Sequence, residues 1–188
     1  MARNYTLKRR AETQGQTRQR IVDAAIELHG TVGPANTTVS MIADKAGVQR
    51  HTFYSHFPDE RSMLMACSGH SLELDPLPDA APWRAITDPA ERLRVGLSAI
   101  YAWFARNESL VACVLRDAEV HELVREISAL RYGPGIGAWR EALGAKLKER
   151  QRAMLALALS FHTWRTLARE AGLKQADAVK AMAAAVLG

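Results

Sequence analysis

Six polar residues within eight positions carry the chemistry most readily read from this chain: Gln49, Arg50, His51, Thr52, Tyr54 and His56. They set amide, guanidinium, imidazole and hydroxyl groups along one short run. Phe53 and Phe57 stand four apart in the same stretch, the spacing of a buried helical stripe. A helix of this make-up fits the major groove of DNA, where Gln and Arg can each make paired bonds to a base edge and Thr, Tyr and His can hold phosphate oxygens. The same composition suits a solvated helix face, so a helix-turn-helix kept only as scaffold is the other reading.

The flanking residues supply what such a helix needs to be held in place. Val39, Ile42, Ala43 and Ala46 recur at helical spacing, which predicts a preceding helix of about two turns. Gly47 follows the last of them, where a left-handed residue ends a helix and turns the chain sharply, and Val48 can drop back into the core. Thr38 is placed to cap the start of that helix. Upstream, Ile21, Ala24, Ala25 and Leu28, broadened by Val22 and Ile26, predict a bracing helix over 17–30, then a turn containing Gly33, Pro34 and Asn36. Downstream, Pro58, Asp59 and Glu60 open a long helix that carries Met63, Leu64, Cys67 and Leu74 to about Asp75.

From about Thr17 to Leu64 the sequence resembles the DNA-binding domain of the tetracycline-repressor (TetR) family of bacterial transcriptional regulators. The residues that carry the resemblance are RQRIVDAAIELHG, Thr37-Thr38-Val39, Ile42-Ala43, Ala46-Gly47-Val48, Thr52-Phe53-Tyr54 and Phe57-Pro58. The resemblance implies that Thr38 meets the DNA backbone, that Tyr54 holds a phosphate, and that Gln49, Arg50, His51 and Thr52 belong to the groove-reading helix. The chain departs from the family pattern at Glu60, where a phosphate-seeking lysine is usual, at His51, where a small residue is common, and at Pro34.

Beyond Asp75, the prolines Pro76, Pro78 and Pro82 break the helical pattern and mark the expected boundary. The expected organisation is a basic arm over 1–16, a DNA-binding domain over 17–75 and a helical body over 76–188. Asp88-Pro89 reads as a cap and first-turn proline opening a helix through Leu93, Leu97, Ile100, Tyr101, Trp103 and Phe104. Short helices are expected over 109–116 and 118–130, with Gly133-Pro134-Gly135 interrupting or kinking the chain before a helix over 139–148. A helix over 150–171 and another over 175–187 present apolar residues on several faces. They read either as a core hairpin or as a four-helix dimer interface using Leu157, Phe161, Trp164, Val179, Met182 and Val186. The family resemblance favours the homodimer, with two reading heads on a near-palindrome.

Trp103, Phe104, Leu110, His121, Phe161 and His162 form an apolar and aromatic set with polar handles, as small-molecule pockets have, although each also suits a core position. The effector that would fit is largely apolar. Residues 1 to 20 hold Arg3, Lys8, Arg9, Arg10, Arg18 and Arg20 against Glu12 alone, and that excess equals the formal net charge of +5 for all 188 residues. The arm reads either as a phosphate- or minor-groove-contacting extension or as a solubilising tail. Cys67 and Cys113 lie in apolar helical surroundings and read as buried free thiols. No apolar run is long enough to span a membrane, and the arginine-rich start has no apolar signal core, so a cytoplasmic location is expected.

No phosphate loop, His-Glu-x-x-His, Cys-x-x-Cys or Gly-x-Ser-x-Gly motif occurs, so neither a catalytic residue, a cofactor nor a metal is expected. The reading is an all-α, ligand-responsive, DNA-binding transcriptional regulator: a homodimeric repressor whose partners are a double-stranded DNA operator, its own second copy and a small-molecule effector. The second reading is a small-molecule- or protein-binding helical dimer that keeps the helix-turn-helix as scaffold.

Overall fold

The computed structural model describes the backbone from Ala2 to Gly188 and the side chains from Glu12 onward. The side chains of residues 1–11, most of the expected basic arm, lie outside the described residues. The chain is all-α, with no strand among the described residues. It divides into two compact units, Met1–Asp75 with Ala112–Arg131, and Pro76–Val111 with Tyr132–Gly188. None of the described helices is long and apolar enough to cross a membrane.

The first unit is built on α1 (Ala2–Thr31), α2 (Val39–Ala46), α3 (Arg50–His56) and α4 (Glu60–Leu74). α1 extends upstream of the helix expected from Thr17. Glu12, Gln14, Gln16, Arg18 and Arg20 favour helix by propensity although they are exposed, so no apolar stripe advertises them. Ile21, Val22, Ala24 and Ala25 of α1 share one core with Ile42, Ala46, Phe53, Phe57, Met63, Leu64 and Cys67. Burying each large side chain there stabilises the unit by about 1.5–3 kcal/mol. Asp59 caps α4 by accepting from the Ser62 amide at 2.7 Å, while the Asp59 amide donates to the Ser62 hydroxyl at 3.4 Å, a reciprocal capping box.

Residues 112–131, placed in the second half by the sequence reading, complete the first unit. They come from α6 (Glu108–Val120) and α7 (Glu122–Gly144). Val124 and Ile127 enter the same core. Asp117, only 2% exposed, accepts from the Ala35 amide at 2.9 Å and from Arg116 Nε at 2.7 Å, and Arg116 Nη2 donates to the Val32 carbonyl at 2.9 Å. Burial favours the protonated Asp117 carboxyl, but the Arg116 and Ala35 hydrogen bonds and the Arg116 charge outweigh it and hold the group below its ordinary range. Gly33 sits beneath this clamp at φ 98°, where a side chain would collide with Arg116 Nη2 and Asp117 Oδ2.

The second unit centres on α5 (Pro89–Arg106), capped by Asp88, which accepts from the Ala90 and Glu91 amides. Leu93, Leu97, Ile100 and Tyr101 of α5 are fully buried, and α10 (Gln175–Leu187) packs against α5, with its Ala178, Val179, Met182 and Val186 buried. α8 (Glu149–Ala158) ends where the Tyr101 hydroxyl donates to the Ala158 carbonyl at 2.9 Å.

Two expectations for the helices are corrected. α7 runs unbroken through Pro134, so the chain is not interrupted there and the helices expected over 118–130 and 139–148 are joined in one. The proline deprives the Leu130 carbonyl of its amide partner, but this stretch is exposed and water can take the place of that bond. The helix expected over 150–171 is instead divided: α8 stops at Ala158, α9 (Phe161–Arg165) follows, and a wide π turn covers Thr166–Glu170. The division lets Phe161 and Trp164 both reach Phe104, with ring centroids 5.5 and 5.9 Å apart.

Candidate nucleic-acid interface

α2 and α3 form the helix-turn-helix. Gly47 adopts φ 64° and ψ 42°, its amide donates to the Ala43 and Asp44 carbonyls, and the Val48 amide donates to the Ala43 carbonyl at 2.9 Å. That turn fixes the angle at which α3 leaves. Thr38 caps α2, its hydroxyl oxygen accepting from the Met41 amide at 3.2 Å. The capping bond uses an acceptor site, so the Thr38 O–H remains a donor on an exposed residue.

α3 divides cleanly into two faces. Phe53 and Phe57 are 2% and 1% exposed. Gln49, Arg50, His51 and Tyr54 are exposed, while Thr52 and His56 are half-buried. Gln49 occupies the N-cap position without spending its side chain on the cap. The Thr52 hydroxyl lies 3.3 Å from His51 Nε2, and Tyr54 stands edge-on to Phe53, with ring centroids 5.6 Å apart. The seven polar residues singled out in sequence therefore lie on α3 or at the caps of α2 and α3. The outer face offers a guanidinium, an amide, hydroxyls and imidazoles on a rigid apolar backing.

The departure at Glu60 is resolved by pairing. Glu60 Oε1 lies 3.2 Å from His121 Nε2, and its neighbour Arg61 donates through both Nη atoms to Glu126, at 2.9 and 2.5 Å. The start of α4 is thus tied to the start of α7, and the Arg61 hydrogen bonds hold the Glu126 carboxyl below its usual range. Neither these pairs nor the closure of Arg116 and Asp117 onto Val32 and Ala35 had a signal in sequence, because the partners lie 61 to 84 residues apart.

Of the expected ligand set, Trp103, Phe104, Phe161 and His162 are brought together in one run of ring contacts, with centroids 5.9, 5.5 and 5.7 Å apart in turn. Trp103, Phe104 and Phe161 are buried in the aromatic core of the second unit, Leu110 is half-buried there, and His162 is exposed. His121 belongs to the first unit, where its Nδ1 accepts from the Val124 amide at 3.4 Å. Of the residues expected at a dimer interface, Phe161, Trp164, Val179, Met182 and Val186 are buried within the single chain, and Leu157 is 53% exposed. The exposed residues of α8 include Ala153, Ala156 and Leu157 beside Glu149, Arg150 and Arg152, and those of α10 include Ala181, Ala184 and Ala185 beside Asp177 and Lys180.

Residues 21–67 match the family described as bacterial regulatory proteins, tetR family. The HTH-type transcriptional regulator SrpR of Pseudomonas putida is 42% identical over 77 residues, covering 38% of this chain and 36% of SrpR. The uncharacterized HTH-type transcriptional regulator TtgW, also of Pseudomonas putida, is likewise 42% identical over 77 residues, 38% of this chain and 58% of TtgW. The chain thus covers less than two thirds of either relative. Among solved structures, the fatty acid degradation regulator FadR from Bacillus halodurans superposes with a TM-score of 0.65 at 19% identity, covering 92% of this chain and 95% of that one. At that identity the likeness establishes the fold.

Proposed function

We propose, on the match of residues 21–67 to the tetR family of bacterial regulatory proteins, that the protein is a homodimeric repressor that holds a near-palindromic operator and releases it when a small molecule binds. The observation that carries the operator reading is the two-faced α3, with Phe53 and Phe57 buried and Gln49, Arg50, His51 and Tyr54 exposed. Two such helices about one turn of DNA apart would enter successive major grooves. Thr38, Thr52, Tyr54 and His56 would hold phosphates, and Gln49, Arg50 and His51 would meet base edges. An operator in the chromosome implies action in the cytoplasm.

The test is fluorescence anisotropy of the full chain with DNA flanking its own coding region, against scrambled DNA, over a range of salt. Preference for one near-palindromic site, falling steeply with salt, is the expected result. Arg50→Ala should cost about 1–3 kcal/mol and relax base preference at one position. A loss uniform across sequences would reassign Arg50 to a phosphate. Tyr54→Phe and Thr52→Ala should weaken all sites alike; unchanged affinity in both would remove these residues from the interface.

The dimer reading is supported by the exposed alanines of α8 and α10, beside Leu157, which let helices of two copies approach closely. Leu157→Arg should shift the protein from dimer to monomer mass in sedimentation, and a dimer that survives it would move the interface elsewhere. Release needs only that the effector bind the DNA-incompetent arrangement better by a few kcal/mol. Titration of candidate ligands into the DNA complex reads this directly, and an affinity that no ligand changes would leave a constitutive DNA binder.

A further inference from the structure

The second unit contains a cavity of about 680 Å3 formed by the Pro82–Ala85 turn, α5, the end of α7 and α8. A cavity of this size suits a small organic molecule. Its wall carries Arg84, Arg92, Arg140, Lys146 and Arg152 against a single carboxylate, Glu141. That carboxylate is already engaged, Glu141 Oε2 accepting from Arg84 Nη2 at 3.0 Å. The side chains of Arg140, Lys146 and Arg152 have no hydrogen bond or ion pair with any of the described residues.

Arg92 is the decisive member. It is 5% exposed, its Nη1 donates to the Ile86 carbonyl at 3.0 Å and its Nη2 to the Ala145 carbonyl at 3.1 Å. Its Nε is buried without a partner, and no carboxylate among the described residues pairs with the guanidinium. Buried charges are as a rule paired, because a lone ion loses its hydration without recompense. The turn beyond α7 adds a second irregularity: Lys146, at φ 65°, is the one non-glycine residue with positive φ among the described residues.

We propose that this cavity binds a small organic oxyanion bearing two or more negative charges, phosphorylated or polycarboxylic, with its apolar portion against Leu155. An anion seated here supplies the counter-charge that Arg92 lacks and engages the guanidinium forks of Arg140 and Arg152, a geometry that suits carboxylate and phosphate alike. Binding at this site stands independently of the operator reading; only its regulatory consequence rests on that reading.

Isothermal titration calorimetry of the full chain in about 0.15 M salt tests the site with three probes: inorganic pyrophosphate, citrate and ADP. At least one should saturate at one molecule per chain. The probe that binds most tightly identifies the head group, and ADP exceeding pyrophosphate shows that the organic body contributes. The double variant Arg140→Gln with Arg152→Gln changes only exposed side chains and should weaken binding about tenfold or more, whereas Glu141→Gln should strengthen it. Affinity undiminished in the double variant would place the anion on the basic N-terminal stretch and overturn the proposal, as would the absence of saturable binding by all three probes. Anisotropy of the DNA complex in the presence of the tightest probe separates the two readings. A probe that binds the cavity without altering DNA affinity leaves the site in place and removes this ligand class as the releasing effector.

Discussion

Phe53→Ala is expected to lower the stability of the first unit by about 3–5 kcal/mol and to abolish sequence-specific DNA binding. The ring is 2% exposed and lies 5.8 Å from Phe57 and 5.6 Å from Tyr54, centroid to centroid. Its removal therefore opens a cavity at the centre of a core that also holds Ile42, Ala46, Met63 and Leu64. α3 has seven residues, too few to remain helical without tertiary support. The exposed face that would meet DNA thus depends on the buried face behind it. Urea denaturation followed by circular dichroism, together with anisotropy on the operator, checks both effects. Phe53→Leu keeps most of the volume and should cost well under half as much while retaining affinity. If Phe53→Ala denatures at the wild-type midpoint, the proposed support of α3 is wrong.

Acidification should destabilise the same unit through His29. This residue of α1 is 5% exposed, and its Nδ1 lies 3.4 Å from Cys67 Sγ. Burial lowers its pKa from 6.5 to about 4, with Asp117 opposing the shift in part, and burial likewise pushes the Cys67 thiol up to about 12. The folded chain therefore refuses a proton that the unfolded chain accepts. The contribution of neutral His29 is fully present above pH 6.5 and is lost as the pH falls toward 4, by about 2 kcal/mol at pH 5 and about 3 kcal/mol at pH 4. The carboxylates held low by their partners, Asp117 and Glu126 among them, lose their contribution only at lower pH still. Urea midpoints at pH 7 and pH 5 should differ in the wild type and converge in His29→Gln. Equal midpoints in the wild type would mean that His29 is hydrated or paired in solution.

The helix-turn-helix was legible because its determinants are local. The Val39, Ile42, Ala43 and Ala46 spacing, the Thr38 cap and the left-handed Gly47 each act within one or two helical turns, and all three stand where the sequence implies. The polar run from Gln49 to His56 could be assigned to an outer face because Phe53 and Phe57 fix the inner one. Helix existence in the second half was legible for the same reason: Asp88 and Pro89 start α5 as a cap and first-turn proline must.

What only the tertiary structure decided depends on residues far apart in the chain. Apolar periodicity reports that a face is buried but not against what. Val179, Met182 and Val186 could equally have met a second copy, and they are buried within the single chain, on a helix that packs against α5 and α8. No local pattern marks Asp117, yet it closes onto Ala35, 82 residues away, within the unit that takes in residues 112–131. Arg84, Arg92, Arg140, Lys146 and Arg152 read singly as ordinary surface charges. Only the fold gathers them around one cavity and buries Arg92 without a counter-ion, because the proximity that turns scattered cations into a site is created by chain topology rather than by neighbours in sequence.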